Sequence, residues 1–171
     1  MNELENVGVA ELKVSNNSVV MASFGMGSCV AVAMFDPLKK VGGLAHVMLP
    51  ESRGKDKGRN PAKFADTAVE FLVDELVRKG ARRKGVLCKI VGGSQMFEML
   101  GSSGQDGDSE GKPKPKHIGA RNVEAVKQAL GGLGIPLVGE DTGGNYGRTV
   151  RFNTSTGELE ISSIYHGRTV I

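Results

Sequence analysis

The sequence has no tryptophan, few aromatic residues and only two cysteines, and each scarcity excludes a class of protein. Two cysteines in 171 residues are too few for the disulfide framework of a small secreted protein. No apolar run approaches the roughly 18 residues of a membrane span, and no signal segment is recognisable. We therefore expect one cytoplasmic domain over residues 1–171, without membrane insertion.

Charge is balanced rather than one-sided. The chain has 22 basic and 19 acidic residues, a formal net charge of +3, and neither sign gathers in one stripe. Aromatic residues make up 5% of the chain, so nucleic-acid bases would have little to stack on. The cysteines and histidines include no closely spaced ligand pair such as Cys-x-x-Cys. We therefore expect neither nucleic-acid binding nor a metal site.

The order of apolar and turn-forming segments indicates an α/β fold. Strands are predicted at residues 7–14, 18–24, 28–49 (two strands joined as a hairpin), 86–91, 135–138, 148–154 and 158–164. Helices are predicted from Asn60-Pro61 to Gly80, at 94–100, and from Arg121 to Gly131-Gly132. The expected fold is a single-domain layered sandwich of mixed, largely antiparallel β-sheet with flanking helices. Residues 101–117, which lack apolar side chains, are expected to form a flexible loop.

Cys29 and His46 are the strongest candidates for chemistry. The segment between them reads as a β-hairpin, because Asp36-Pro37 is a type I turn signal between two apolar runs. If Asp36 faces Lys39, the numbers of paired residues add to 75, as 29 and 46 do. Directly opposed side chains share a face with Cβ atoms about 4.5–5.5 Å apart, where a histidine can take a proton from a thiol. The hairpin thus predicts a nucleophile and its base.

The alternative interpretation of this pair is structural, because free cysteines and strand histidines are most often core residues. Gly25-Met26-Gly27-Ser28, directly before Cys29, favours chemistry instead. Its bare backbone permits a tight turn and leaves amide N–H groups near Gly27 and Ser28 free to bind an oxyanion. We expect the Cys29 thiol there to be more ionised than a free cysteine, and Cys88, inside a predicted strand, to be an inert core thiol.

Six segments carry a resemblance that spans about Val19 to Thr156. They are Gly25-Met26-Gly27-Ser28-Cys29-Val30-Ala31-Val32, Asp36-Pro37, Gly42-Gly43-Leu44-Ala45-His46-Val47-Met48-Leu49-Pro50, Lys89-Ile90-Val91-Gly92-Gly93-Ser94-Gln95-Met96-Phe97, Ile118-Gly119-Ala120-Arg121-Asn122 and Gly139-Glu140-Asp141-Thr142-Gly143-Gly144-Asn145-Tyr146-Gly147-Arg148. Together and in this order they resemble the CheD family, the chemoreceptor glutamine deamidases of bacterial and archaeal chemotaxis. Several ordered motifs are far more specific than any one of them.

The resemblance implies a cysteine hydrolase that converts particular glutamine side chains of methyl-accepting chemoreceptors to glutamate, releasing ammonia without a cofactor. Cys29 falls on the family's nucleophile and His46 on its base. The family's third residue is a threonine, and Ser23 occupies that place. Serine keeps the hydroxyl that can hold the imidazole but lacks the methyl group that restricts its rotamer. The implied fold is like the catalytic domain of cytotoxic necrotizing factor toxins.

Two other functions remain open. The family also pairs with CheC, a phosphatase of phosphorylated CheY, so the alternative is a regulatory binding module for a CheC-type protein. The Cys29–His46 pair alone would also fit a generic cysteine peptidase or amidase, which activity on free glutamine would reveal. Glu140-Asp141 and Arg148 could form a carboxylate pair with an arginine beside the active site. Such a segment is more often a tight turn with a surface ion pair, and we interpret it as a structural turn that shapes the pocket wall.

Overall fold

The computed structural model describes residues 3–54, 58–96 and 116–171, which form two five-stranded sheets and two α-helices. The first sheet contains, in spatial order, β1 (Glu3–Asn6), β3 (Val19–Met26), β8 (Arg148–Asn153), β9 (Leu159–Ser163) and β10 (Gly167–Val170). The second contains β2 (Leu12–Ser15), β5 (Val41–Val47), β4 (Val30–Asp36), β6 (Leu87–Gly92) and β7 (Leu137–Thr142). The helices are α1 (Ala65–Arg78) and α2 (Ile118–Leu133). The β1–β3 and β6–β7 pairs are parallel and the other pairs antiparallel.

Two apolar layers hold these elements together. One lies between the sheets and includes Met21, Ala33 and Phe152. The other lies between the second sheet and the helices, where Val32 packs with Leu72 of α1. Since successive strand residues point to opposite faces, β4 contributes side chains to both layers. Its sequence is therefore a continuous apolar run. The predicted layered α/β sandwich with a mixed, largely antiparallel sheet system is confirmed.

Helix α1 starts later than its predicted cap. The Asn60 side chain accepts a hydrogen bond from the Ala62 N–H (3.1 Å), but the turn that it caps, Pro61–Lys63, is a 3-10 turn. The α-helix follows from Ala65 and buries one apolar stripe against the second sheet. A proline at the first helical position suits either kind of turn, so the motif located the start without fixing its type.

Helix α2 is longer than predicted at its carboxyl end. It continues through Gly131 and Gly132 to Leu133, and Gly134 ends it in a left-handed conformation (φ 68°). Leu133 packs on the helix-side core, which favours this extension against the cost of about 1 kcal/mol that each of the two interior glycines adds. The predicted helix at 94–100 is wrong over 94–96, which have no regular structure, and 97–100 lie outside the described residues. Of the loop expected over 101–117, residues 101–115 also lie outside them, and 116–117 have no regular structure.

The β4–β5 hairpin has a longer loop than the sequence predicts. Asp36 pairs with Val41 rather than facing Lys39, so residues 37–40 form the loop. Lys40 takes a left-handed conformation (φ 54°), and the Asp36 carboxylate accepts a hydrogen bond from the Lys39 N–H (3.3 Å) within the loop. The numbers of paired residues therefore add to 77, and the predicted register was wrong by two residues.

Arg82 fixes the same aspartate from the segment after α1. The Asp36 carboxylate is fully buried and accepts hydrogen bonds from the Arg82 backbone N–H (2.8 Å), Nε (3.0 Å) and Nη2 (2.8 Å). The Arg82 guanidinium, opposed in part by burial and aided by backbone N–H groups, holds the pKa of Asp36 well below its usual range. The loop conformation thus depends on a residue remote in sequence.

Asp36→Asn should lower the free energy of unfolding by about 2–3 kcal/mol, because hydrogen bonds to a charged group are lost from a buried site. Urea denaturation measures this. Since the folded-state pKa is lowered, this stabilisation is present above the ordinary aspartate pKa near 3.9 and is lost as the pH falls below it. Asp74→Asn, in the exposed pair with Arg83 (3.2 Å), is the control and should cost under about 1 kcal/mol. Equal losses in the two variants would contradict the role of Asp36.

Candidate active site

The observed register places Cys29 and His46 diagonally rather than opposite each other. His46 pairs with Ala31, and Cys29 lies one residue before β4 begins. A shift of two residues keeps the faces unchanged, because the side-chain period of a strand is two. Cys29 packs on the same inter-sheet layer as Ala31. Diagonal neighbours in such a pair have Cα atoms about 7–8 Å apart, so the predicted direct opposition was wrong while the shared layer is retained.

His46 is buried with one ring nitrogen engaged and one free. Its Nδ1 lies 3.4 Å from the carbonyl oxygen of Val7, which can only accept a hydrogen bond. We therefore assign the ring proton to Nδ1, which leaves Nε2 with a lone pair. Nε2 is buried and has no hydrogen-bond partner within the described parts of the chain. The ring is thus oriented as a proton acceptor.

Burial lowers the pKa of His46, and the Val7 carbonyl and the charge of Glu11 oppose this only in part. The imidazole is therefore neutral at neutral pH. Burial also raises the pKa of the partly exposed Cys29 thiol, against a smaller opposing effect of its own backbone N–H. The expected extra ionisation of Cys29 was therefore wrong for the resting state, in which a neutral thiol accompanies a neutral imidazole.

Ser23 acts on the same carbonyl as His46. It is fully buried on β3, and its hydroxyl donates a hydrogen bond to the Val7 oxygen at 2.7 Å. Among the described residues it makes no hydrogen bond to the imidazole itself. The Val7 N–H in turn donates to the Ala22 oxygen (2.7 Å), which holds Val7 against β3. Ser23 and His46 are therefore brought together, but through a shared acceptor.

Val7 reaches this position because the chain changes sheets between β1 and β2. The predicted single strand over 7–14 was wrong: the chain turns at Ala10, which has a positive φ of 60°. After the turn, the Ala10 N–H donates to the His46 oxygen, and the His46 N–H donates to the Glu11 oxygen (both 2.9 Å). The crossing segment thus holds His46 by its backbone on one side and by its ring on the other.

The backbone carbonyls of residues 27–29 all accept hydrogen bonds from neighbouring segments. The oxygens of Gly27 and Cys29 accept from the N–H groups of Ser94 (3.0 Å) and Gly93 (2.9 Å). The Ser28 oxygen accepts from Nδ2 of Asn122 (2.9 Å). In a trans peptide the N–H points away from its own C=O. The N–H groups of Ser28 and Cys29 therefore face the other way, and neither donates a hydrogen bond to another described residue.

The turn at Gly92-Gly93 can approach this loop only because it lacks side chains. Gly92 has φ 119°, and a Cβ there would collide with the Cys29 carbonyl oxygen. The bond from the Gly93 N–H to that oxygen requires the same approach. Glycine at 92 is therefore part of what shapes the Cys29 loop.

Arg148 supports the Gly93-Ser94 side of the loop from inside the protein. Its guanidinium is almost fully buried and donates to Ser94 Oγ (2.7 Å), the Gly143 oxygen (2.8 Å) and Asp141 Oδ1 (3.0 Å). The interpretation of Asp141 and Arg148 as a surface ion pair was therefore wrong. The burial could not be read from residues 139–148 alone, because Ser94 comes from a distant part of the chain.

A cavity of about 740 Å³ opens beside the same loop. It is lined in part by Gly25, Met96 and Tyr165, with the Tyr146 ring stacked on His166 at 3.8 Å. The Met96 side chain lies directly over Gly27, where a Cβ would come within 2.9 Å of its Cγ. Cys29 itself does not line this cavity.

The second cysteine lies in the other apolar layer. Cys88 is fully buried in the helix-side core, where burial raises its pKa. Within residues 3–54, 58–96 and 116–171, no three His, Cys, Asp or Glu side chains gather where a metal ion would bind. In that same part of the chain, no helix is long and apolar enough to cross a membrane.

Two groups at the site were not singled out from the sequence. The Val7 oxygen is a backbone atom, and no residue type signals it. Asn122 stands in a quoted motif, and its side chain is fully buried against the Cys29 loop. A fully buried asparagine is unusual, so a burial prediction for α2 could have drawn attention to it.

Comparison with known proteins gives consistent matches. A family model described as CheD chemotactic sensory transduction matches residues 48–163, a range that begins after His46. The "Probable chemoreceptor glutamine deamidase CheD" of Desulfitobacterium hafniense is 43% identical over 171 residues, covering all of both chains. The "Chemoreceptor glutamine deamidase CheD" of Thermotoga maritima is 48% identical over 94% of this chain and 92% of that protein.

Among solved structures, the hypothetical protein YfiH of Bacillus licheniformis matches with a TM-score of 0.47 and 14% identity. The match covers 76% of this chain but about half (49%) of that one. A likeness at this level carries no argument about function. The expected likeness to the cytotoxic necrotizing factor catalytic domain stays a prediction.

Proposed function

Because this chain belongs to the CheD family, we propose that it hydrolyses the side-chain amide of particular glutamines on chemoreceptors, with Cys29 as nucleophile and His46 as general base. The names of the relatives support the substrate and the reaction. The observation that carries the mechanism is Nε2 of the neutral, buried His46, which has no hydrogen-bond partner among the described residues and lies on the layer that also receives Cys29. A neutral imidazole with a free lone pair is the form that a general base needs.

The reaction begins from the neutral pair. Nε2 of His46 takes the thiol proton as the Cys29 sulfur forms a bond to the amide carbon of the glutamine. For this step the side chain of Cys29 must turn toward the imidazole. We expect this to happen when the substrate binds, because catalytic hydrogen bonds often form fully only in the substrate complex. The negative charge that develops on the amide oxygen is met by the N–H groups of Ser28 and Cys29, which donate to no other described residue.

The second half returns the pair to its resting state. The protonated His46 gives its proton to the amide nitrogen as the carbon–nitrogen bond breaks and ammonia leaves, which produces a thioester on Cys29. A water molecule then loses a proton to Nε2 and attacks the thioester carbon. The carbon–sulfur bond breaks, the sulfur regains the proton, and the receptor residue becomes glutamate. No atom is oxidised or reduced in these steps, and the reaction needs no cofactor.

The function is tested with purified protein and receptor cytoplasmic fragments. Deamidated glutamines should appear in peptide mass spectra together with an equal amount of released ammonia, and free glutamine at the same concentration should release none. Hydrolysis of free glutamine at a comparable rate would favour a generic amidase instead. If neither substrate reacts while a CheC-type phosphatase binds, the enzyme proposal fails and the binding module is favoured. Binding of a CheC-type phosphatase stays a prediction that rests on the family resemblance.

Ser23→Ala should lower kcat by about fivefold without abolishing it. The hydroxyl helps to fix the Val7 carbonyl that orients His46, and one hydrogen bond of this kind contributes about 1 kcal/mol. Ser23→Thr, which keeps the hydroxyl, should stay near the wild-type rate. Steady-state ammonia release measures both variants. Complete loss of turnover in a folded Ser23→Ala protein would show that Ser23 has a more direct role.

A further inference from the structure

Asn122 joins the two segments that carry the proposed nucleophile and base. It lies on α2, is fully buried, and its Nδ2 donates to the oxygens of Ser28 (2.9 Å) and Met48 (3.0 Å). Ser28 directly precedes Cys29, and Met48 follows β5, two residues after His46. One side-chain amide therefore ties the loop before the thiol to the end of the strand that carries the imidazole.

We propose that Asn122 is a positioning residue for the reaction, acting through the Ser28–Cys29 peptide; this inference rests on the proposed deamidase function. The Ser28 oxygen and the Cys29 N–H belong to one trans peptide and point in opposite directions. Holding the oxygen therefore sets the direction of the N–H that would bind the oxyanion. Donation to the carbonyl also polarises the peptide, which strengthens its N–H as a donor.

The orientation of the Asn122 amide is determined by its partners. Both neighbours of the bridging atom are carbonyl oxygens, so that atom must be the nitrogen, which supplies one proton to each. The amide oxygen is then left buried, and within the described residues it has no partner. The two bonds that the nitrogen donates are therefore what holds the side chain in this position.

Helix α2 is built to bring Asn122 this close. Gly119, one turn before it, packs on the turn whose N–H groups bind the other two loop carbonyls: a Cβ at 119 would lie 2.5 Å from the oxygens of Gly93 and Ser94. The same helix also packs with α1 through the helix-side core, where Val126 is fully buried. The contact with the Cys29 loop can therefore be separated from the packing of the helix.

The test compares Asn122→Ala with Val126→Ala, a buried substitution one turn further along α2 in the helix-side core. With receptor fragments as substrate, Asn122→Ala should lower kcat about 10- to 100-fold with KM changed less than about twofold, because oxyanion binding matters only in the transition state. Val126→Ala should lower the urea midpoint but keep kcat within about twofold. Asn122→Ser, which can bind only one of the two carbonyls, replaces Asn122→Ala if the latter does not fold.

Amide hydrogen exchange supplies a readout independent of turnover. The N–H groups of Gly93 and Ser94 are bound to the Cys29 loop, so they should exchange faster in Asn122→Ala than in Val126→Ala. Wild-type kcat or unchanged exchange in the folded Asn122 variant would overturn the inference. If the wild-type protein releases no ammonia from receptors, or Cys29→Ala still does, the proposed function fails instead, and the exchange result still decides whether Asn122 holds the loop.

Discussion

Cys29→Ala should lower ammonia release from chemoreceptors by at least about 10⁴-fold, because the covalent step cannot proceed without the thiol. The loss should be confined to kcat, and the fold should persist. Cys29 is only partly buried, lies outside the strands, and its loop is held by backbone carbonyls that alanine retains. A coupled ammonia assay and peptide mass spectra of the receptor measure the activity, and urea denaturation measures the stability.

Cys88→Ala is the matched control for this variant. Cys88 lies in the helix-side core, so its replacement should reduce stability while the folded protein keeps the wild-type kcat. Deamidation by Cys29→Ala at a rate near wild type would exclude the covalent mechanism, whatever the control shows. Loss of activity in both variants, with both folded, would mean that the assay does not report on Cys29 alone.

The sandwich could be predicted because its signals are local. Strands such as β4 and β8 are short apolar or alternating runs between turn residues, and α1 is marked by Asn60-Pro61 and its apolar stripe. Cys29 and His46 could be selected because a glycine-rich segment precedes one and a hairpin signal lies between the two. Each of these signals needs only neighbouring residues.

The hairpin register, the position of Val7 and the ionisation of Cys29 could not be predicted, because they depend on contacts between distant parts of the chain. The loop length of the hairpin follows from Lys40 in a left-handed conformation and from Arg82 on Asp36, neither of which the turn motif contains. The crossing that delivers the Val7 carbonyl turns at Ala10, and alanine gives no sign of a positive φ. The ionisation of Cys29 was mistaken for the same reason, because burial, which raises its pKa, is a property of the folded protein.

His46→Asn should lower kcat by about 10²- to 10⁴-fold, the usual contribution of a general base. Asparagine is the sharpest replacement here, because its Nδ2 can keep the hydrogen bond to the Val7 oxygen that Nδ1 makes while the proton acceptor at Nε2 is removed. The double variant with Cys29→Ala should be scarcely worse than Cys29→Ala alone, since the two residues act as one unit. Losses that multiply would mean that they act separately.

The pH dependence of the rate is a second test of His46 as the general base. Burial lowers the pKa of His46, so the wild-type rate should stay high down to the ordinary histidine pKa near 6.5 and fall only below it, as the imidazole becomes protonated and can no longer accept the thiol proton. His46→Asn should lose this acid limb. His117→Asn is the control, because asparagine is an equally good cap for α2, and it should keep both the rate and the limb. An acid limb that persists in His46→Asn would assign it to another group and remove His46 from the role of base.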